Sequence, residues 1–290
     1  MDTLFCFGPG YSAQAYFAEF GGRFSRIAAT TRATHVRNPP GAPSIVRTIP
    51  FTALSPSRDI LDAIAAADCL LVSIPPGPDN DPVLAACADA IAASPRLRSI
   101  VYLSTVGVYG DHAGAWVDET SALRAQNARS RTRADAEARW RDLSAAAGKP
   151  LAILRLAGIY GPGRNAIAGI RAGTARRIVK PGQIFNRIHV ADVARAIDGA
   201  FARRADGVFN VCDDEPCPPQ DVIAYAAALL RVPPPPEISF DDAKAAMSDM
   251  GRSFYDECKR VRNDKIKRDL EFALRYPSYR EGLRSLLRDG

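Results

Sequence analysis

Short apolar segments recur along the chain, and segments with the hydrophobic spacing of helices lie between them. The apolar segments predict strands, because each is short and is bounded by glycine, proline or polar residues. They cover residues 3–7, 26–30, 69–74, 99–104, 151–156 and 208–211, and the helical segments include 12–20, 60–66, 82–93 and 133–147. Strands that alternate with helices predict a parallel sheet.

The continuous apolarity of these strands indicates how the sheet is covered. A strand that is apolar throughout has helices on both faces of its sheet, whereas an alternating strand has one face in water. We therefore predict an α/β fold with a doubly wound (Rossmann) parallel sheet. The pattern loosens after residue 157, so we expect a Rossmann core of residues 1–157 plus 185–211 and a small, interleaved C-terminal substrate lobe of residues 158–184 plus 212–290.

The composition is that of a globular protein, since 47% of the 290 residues are hydrophobic and 24% are charged. This excludes a disordered or fibrous chain. The formal net charge of +6 suits a nucleic acid or a phosphate-bearing ligand. The basic run 259–268 includes acidic residues and lacks aromatic spacing, so we expect a solvated helix face there and no nucleic-acid partner.

The six cysteines and three histidines do not predict a metal site. No two cysteines are separated by two residues, as zinc frameworks and c-type haem sites require. We expect a reduced, cytoplasmic compartment. No cationic N-terminal region precedes an apolar stretch, and no apolar run approaches about 18 residues, so we expect no membrane partner.

A glycine turn directly follows the first predicted strand and matches the dinucleotide-binding fingerprint. Gly8 allows a tight turn, Gly10 lets the backbone approach a diphosphate, and the small Ala13 lets the next helix pack against the strand. The N-terminus of that helix, at Tyr11 and Ser12, then faces the anion. We predict a cofactor site here.

The end of the second strand indicates which dinucleotide binds. Thr31 and Arg32 stand where an NAD site normally has a carboxylate for the ribose hydroxyls. A guanidinium there favours the 2′-phosphate, so we expect NADP(H) in preference to NAD(H), unless Arg32 is an ordinary solvated residue. Ile74, Pro75 and Pro76 end a further strand, and they either line the adenosine side of the cleft or only terminate the strand.

Three further segments carry a family resemblance, together with the glycine turn. They are residues 100–111, with the sequence IVYLSTVGVYGD, residues 154–163, with LRLAGIYGPG, and residues 187–194, with RIHVADVA. The chain resembles the extended short-chain dehydrogenase/reductases of the NAD(P)-dependent epimerase/dehydratase superfamily. The likeness covers nearly the whole chain, and the resemblance implies a small-molecule substrate.

The resemblance also implies roles for individual residues. Thr105 corresponds to the residue that holds the reacting oxygen, and Tyr109 is expected close to the substrate. The family's catalytic tyrosine and lysine stand four residues apart, and the motif's closing glutamate is taken as Glu137. Arg129 and Arg133 then occupy the tyrosine and lysine positions. A guanidinium cannot give and recover a proton near neutral pH, although Arg129 is suited to bind an anionic substrate.

Two functions remain open from the sequence. In the first, an NADP(H)-dependent oxidoreductase or epimerase acts on a small hydroxylated or nucleotide-sugar-like substrate, with Tyr109 or Tyr160 as the replacement acid. Tyr160 is also expected to bind the substrate. Both tyrosines have the alternative of a packing role with one bonded hydroxyl. In the second function, a non-catalytic regulatory or sensor protein binds NADP(H). Segment 133–147 corresponds to the helix through which relatives pair, so a homodimer is a further hypothesis.

Overall fold

The computed structural model of the chain describes residues 2–32, 46–52 and 55–288. The strands in these ranges are β1 (Asp2–Phe7), β2 (Phe24–Thr31), β3 (Val46–Pro50), β4 (Cys69–Val72), β5 (Ser99–Thr105), β6 (Trp116–Val117), β7 (Leu151–Leu156), β8 (Gly158–Tyr160), β9 (Arg177–Val179), β10 (Arg187–His189), β11 (Gly207–Val211), β12 (Glu237–Ser239) and β13 (Arg260–Val261).

The α-helices of the same ranges lie mainly between the strands of the large sheet. They are α1 (Tyr11–Phe20), α2 (Arg58–Ala66), α3 (Pro82–Ala93), α4 (Ala128–Ala147), α5 (Ala166–Arg171), α6 (Val190–Arg203), α7 (Pro219–Leu230), α8 (Phe240–Ala243), α9 (Asp249–Ser253), α10 (Asp264–Asp269) and α11 (Tyr279–Ser285).

Seven strands form one parallel sheet in the order β11-β7-β5-β4-β1-β2-β3. The strand order reverses beside β1, which pairs with β2 on one side and β4 on the other. This reversal is the topological switch point at which doubly wound sheets bind nucleotides, beyond the carboxyl ends of the strands. The predicted fold class is confirmed.

Side chains of β1 show how both faces of the sheet are covered. Leu4 and Cys6 point into the hydrophobic cluster that includes α1 and α6. Phe5 and Phe7 point into the opposite cluster, which includes α2 and α3. Because successive residues of a strand face opposite ways, a strand must be apolar throughout to supply both clusters.

Three two-stranded sheets hold the later segments against this core. They pair β8 with β10, β9 with β12 and β6 with β13. The last pair joins Trp116–Val117, in the loop after β5, to Arg260–Val261 near the end of the chain. The predicted boundary between core and lobe stays a prediction. Within the described ranges, the helices are all too short or too polar to cross a membrane.

Candidate functional site

The glycine turn after β1 is fixed by the ends of two neighbouring strands. Gly8 has a φ of +82°, a conformation that residues with a Cβ rarely adopt. Its N–H donates a hydrogen bond to Thr30 Oγ1, at the end of β2, over 2.9 Å. A Cβ on Gly8 would lie 2.6 Å from Ile74 Cγ1, in the loop after β4. The predicted site residues Gly8 and Ile74 are therefore in contact.

The N-terminus of α1 lies open beside this turn. Gly10 is the N-cap residue, and no side chain caps the helix there. A Cβ on Gly10 would meet no atom within 4 Å, so the backbone is accessible to a ligand. Ala13 is fully buried against the sheet and Ser12 is nearly so. Free N–H groups at a helix N-terminus attract anions, and these residues therefore fit a diphosphate.

Tyr11 links the turn to the loop that follows β8. Its hydroxyl donates a hydrogen bond to the carbonyl oxygen of Pro162 over 3.0 Å. A Cβ on the neighbouring Gly161 would lie 2.6 Å from that hydroxyl, so the close approach requires glycine. The side chain of Tyr11 therefore contacts the predicted substrate lobe.

The end of β2 presents the residue predicted to select the coenzyme. Thr31 is the last residue of the strand and is half-buried. Arg32 follows it and is exposed, and its guanidinium makes no hydrogen bond or ion pair with any residue of the described ranges. Across the turn, Pro75 is exposed and Pro76 half-buried. The position of Arg32 is compatible with binding a ribose phosphate.

Thr105 lies at the carboxyl end of β5, two strands from β1 in the sheet order. Its Oγ1 accepts a hydrogen bond from the N–H of Gly107 over 3.1 Å. A Cβ on Gly107 would lie 3.2 Å from Ser130 Oγ and 3.4 Å from Thr105 Oγ1. The hydroxyls of Thr105 and Ser130 therefore both lie close to Gly107, in the turn after β5. Ser130 was not predicted as a site residue, and the only sequence signal for it is its place beside Arg129.

Tyr109 is enclosed by the fold. It is 0% exposed, and its hydroxyl donates to Asn210 Oδ1 over 2.8 Å and accepts from Arg155 Nη1 over 2.9 Å. Burial raises the pKa of Tyr109 to about 12, against the opposing effect of Arg155. This geometry favours the packing alternative for Tyr109, and its predicted catalytic role stays a prediction.

A buried ion pair lies directly behind Tyr109. Arg155, on β7, binds both carboxylate oxygens of Glu137, on α4, and the shortest of these contacts is 2.7 Å. Glu137 also accepts a hydrogen bond from Ser104 Oγ. The exposed fractions of Arg155 and Glu137 are 2% and 0%. The network therefore joins β5, β7 and α4 below Thr105.

The two arginines at the predicted tyrosine and lysine positions differ in their surroundings. Arg129 is exposed in the first turn of α4, and its guanidinium makes no hydrogen bond or ion pair within the described ranges. Arg133 is only 8% exposed, and its Nη1 donates to the carbonyl oxygen of Leu103 over 2.7 Å. Arg129 is therefore free to meet an anion, whereas Arg133 holds α4 against β5.

Tyr160 is also packed. It is 8% exposed, its hydroxyl lies 3.4 Å from the carbonyl oxygen of Ser278, and its ring meets that of His189 edge-on. Burial raises the pKa of Tyr160 well above its usual value. His189 caps α6, because its Nδ1 accepts a hydrogen bond from Ala191 N. The geometry favours the packing alternative for Tyr160, whose predicted substrate-binding role also stays a prediction.

Tyr255 and Lys259 stand four residues apart near the C-terminus, the spacing of the family's catalytic pair, and each has structural partners of its own. Tyr255 stacks on Phe240. Lys259 is buried, and its Nζ donates to the carbonyl oxygen of Gly110 over 2.9 Å and to Glu257 over 2.8 Å. Lys259 thus anchors the C-terminal segment to the turn after β5. Groups of three or more side chains able to hold a metal ion are not found in the described ranges.

Two comparisons with known proteins identify the family of this chain. The sequence profile of the NAD dependent epimerase/dehydratase family matches residues 80–212. Protein YeeZ of Escherichia coli K12 is 31% identical in an alignment of 206 positions that covers 67% of this chain and 71% of YeeZ. The chain belongs to the NAD-dependent epimerase/dehydratase family. The family predicted from the sequence resemblance is thereby confirmed.

Two solved structures share the fold of this chain. A conserved protein of unknown function from Silicibacter pomeroyi is 45% identical, with a TM-score of 0.85, over 100% of this chain and 99% of that one. A dTDP-glucose 4,6-dehydratase from Bacillus anthracis, in complex with NAD, has a TM-score of 0.79 at 14% identity, over 99% and 96% of the two chains. The latter likeness concerns the fold alone.

Family membership supports a site for a nicotinamide dinucleotide and does not choose between NAD(H) and NADP(H). The epimerase/dehydratase family binds NAD(P), and the open turn at Gly8 and Gly10 fits the diphosphate of either coenzyme. Helix α4 of this member contains neither tyrosine nor lysine. The assignment of Arg129 and Arg133 to the family's catalytic positions stays a prediction, because it depends on Glu137 being the motif's glutamate.

Proposed function

We propose that this epimerase/dehydratase family member binds NADP(H) in preference to NAD(H). The observation that carries the proposal is the exposed guanidinium of Arg32 at the end of β2, which has no partner in the described ranges. A phosphate forms charge-assisted hydrogen bonds with such a group. A carboxylate that would accept bonds from unphosphorylated ribose is missing from the same strand end.

Calorimetric titration of NADPH and NADH tests this preference. Arg32→Asp is expected to weaken NADPH binding by about tenfold to a hundredfold, because a charge-assisted hydrogen bond of about 1.5–3 kcal/mol is replaced by repulsion. NADH binding is expected to change little. Arg26→Asp is the matched control, since Arg26 is exposed on the same strand. Equal losses for both coenzymes contradict the assignment of Arg32.

For the reaction, we propose an oxidoreductase or epimerase that acts on a small hydroxylated or nucleotide-sugar-like substrate. Thr105 would hold the reacting oxygen, since its hydroxyl lies at the carboxyl edge of the sheet beside that of Ser130. Arg129 would bind an anionic group of the substrate, since its guanidinium is exposed and has no partner in the described ranges. Proton transfer needs a group that titrates near the working pH.

One observation favours a second candidate, a non-catalytic regulatory or sensor protein that binds NADP(H). The hydroxyls of Tyr109 and Tyr160 are both enclosed and bonded, and α4 offers neither tyrosine nor lysine. Loss of the NADPH absorbance band with a panel of carbonyl compounds and nucleotide sugars separates the two candidates. The enzyme is supported if the protein turns over a substrate, if Thr105→Ala abolishes that turnover and if Tyr109→Phe preserves it. Thr105 would then be the residue at which the enzyme works. Saturable NADPH binding without turnover supports the sensor.

We also propose a homodimer that forms through α4. The outward side of this helix carries exposed charges of both signs, among them Arg139 and Asp135, so two antiparallel copies would place opposite charges together. Sedimentation velocity is expected to show a dimer that Asp135→Arg weakens. A monomer at every accessible concentration contradicts this arrangement.

A further inference from the structure

A cavity of about 420 Å³ lies between α5 and the end of the chain. Residues from the loop after β8, from α5 and from the last turn line it, and they include Pro162, Ile167, Ala168, Arg171, Ala172 and Leu286. We call it the α5 cavity. None of the residues that we assign to the coenzyme, and neither Thr105 nor Arg129, lines it. The cavity therefore has a lining of its own, and it adjoins the coenzyme site at Pro162, which accepts the hydrogen bond of Tyr11.

The α5 cavity has mostly apolar walls. Ile167 and Leu286 are buried, with exposed fractions of 1% and 5%. The one amide in the lining, Asn165, already uses both of its polar groups. Its Nδ2 donates to the carbonyl oxygen of Gly161, and its Oδ1 accepts from the N–H of Ala168. The side of a ligand that faces the protein therefore meets more hydrocarbon than polar groups.

One charged side chain lines the cavity. Arg171 ends α5 and is exposed, and its guanidinium makes no hydrogen bond or ion pair with any residue of the described ranges. The guanidinium of Arg164, on the neighbouring loop, is exposed and equally unpaired there. Among the described residues, none that lines the cavity carries a carboxylate. The two guanidinium groups therefore favour an anionic ligand at the mouth of the α5 cavity.

We propose that the α5 cavity binds a small organic acid that has an apolar body and one carboxylate. Its volume lies within the range of roughly 300–1,000 Å³ that small-molecule sites occupy. The apolar body would pack on Pro162, Ala168 and Ala172, which are the accessible apolar residues of the lining. The carboxylate would accept hydrogen bonds from Arg171. A planar guanidinium suits a carboxylate because two parallel N–H groups meet its two oxygens. This inference is independent of the coenzyme that the protein uses.

Calorimetry with 4-phenylbutyrate and its uncharged matched amide, 4-phenylbutyramide, tests the proposal. The acid is expected to bind at least about tenfold more tightly than the amide, since a charge-assisted hydrogen bond of this kind corresponds to about that factor. Arg171→Ala is expected to remove the advantage of the acid. Ala172→Phe, which fills the cavity from an exposed rim position, is expected to weaken acid and amide alike.

Arg26→Ala provides the control for charge, because Arg26 is an exposed arginine on β2 and does not line the cavity. It is expected to bind the acid as the wild type does. Equal affinity for acid and amide, or undiminished acid binding by Arg171→Ala, overturns the proposal. So does the lack of saturable binding of both 4-phenylbutyrate and octanoate. Titration of NADPH into the same variants distinguishes a failure of the cavity proposal from a failure of the proposed coenzyme binding. We expect unchanged NADPH affinity in both cavity variants.

Discussion

The guanidinium of Arg133 donates a hydrogen bond to the backbone carbonyl oxygen of Leu103 over 2.7 Å. It also lies over the ring of Tyr102, at 5.7 Å from the ring centroid. Both partners belong to β5, the strand that ends at Thr105. Arg133 therefore holds α4 on the sheet, and the position that we align with a catalytic lysine serves the fold.

Replacement of Arg133 by methionine tests this structural role. Arg133→Met keeps most of the length of the side chain but removes the donor, so the free energy of unfolding is expected to fall by about 1–3 kcal/mol. Urea denaturation measures the loss. Arg26→Met, at an exposed position of β2 where the side chain makes no hydrogen bond or ion pair within the described ranges, is expected to change stability by less than about 0.5 kcal/mol. Equal effects of the two substitutions would show that the bond to Leu103 contributes nothing.

The buried pair of Glu137 and Arg155 predicts a larger loss. Arg155→Met leaves a carboxylate with a 0% exposed side chain without its partner, which is expected to cost about 3–5 kcal/mol. The double variant Glu137→Gln, Arg155→Met removes both charges and is expected to be more stable than Arg155→Met alone. Denaturation of the wild type, of Glu137→Gln, of Arg155→Met and of the double variant gives the coupling energy. A double variant less stable than Arg155→Met contradicts this reasoning.

The sheet could be predicted from sequence because its strands are apolar on both faces. The predicted helix 82–93 agrees with α3 (Pro82–Ala93), since a proline opens it and apolar spacing continues to its end. Strand β3 (Val46–Pro50) was missed. Among the described strands it lies at the edge of the sheet, beside β2, and its exposed Arg47 and final proline do not give the pattern of a buried strand.

The candidate site could be predicted only where its residues are close in sequence. The turn at Gly8 and Gly10 is local, so its shape follows from its own residues. Whether a tyrosine hydroxyl is free depends on distant partners instead. Asn210 is 101 positions from Tyr109, and Ser278 is 118 positions from Tyr160. A strand-end position in sequence therefore did not reveal that both hydroxyls are enclosed.

Asp111 predicts a pH dependence of stability. Its Oδ1 accepts hydrogen bonds from the N–H groups of Cys258, over 2.8 Å, and Ala113, over 3.0 Å. The bond from Cys258 is the main cause of a lowered pKa for Asp111, which burial opposes. Because the folded state has the lower pKa, the stabilisation is present above the unfolded value of about 3.9 and is lost as pH falls through the folded value.

Asp111→Asn is therefore expected to lower the free energy of unfolding by about 1 kcal/mol near neutral pH. The difference from the wild type is expected to shrink as the pH falls below about 4. Urea denaturation across this pH range measures it. Asp89→Asn is the control, since Asp89 is exposed on α3 and its carboxylate makes no hydrogen bond within the described ranges. A difference that grows toward acid pH contradicts a lowered pKa for Asp111 in the folded protein.

Gly8→Ala tests whether the turn itself determines coenzyme binding. Alanine at a φ of +82° is strained, and its Cβ would lie 2.6 Å from Ile74 Cγ1. We expect the free energy of unfolding to fall by about 1–3 kcal/mol and the affinity for NADPH and NADH to fall together, because both share the diphosphate.

Ile74→Ala added to Gly8→Ala is expected to restore part of the stability, since it removes the contact but leaves the backbone strain. Gly22→Ala is the matched control, because a Cβ on Gly22 would meet no atom within 4 Å. Unchanged coenzyme affinity in a folded Gly8→Ala protein would place the diphosphate elsewhere.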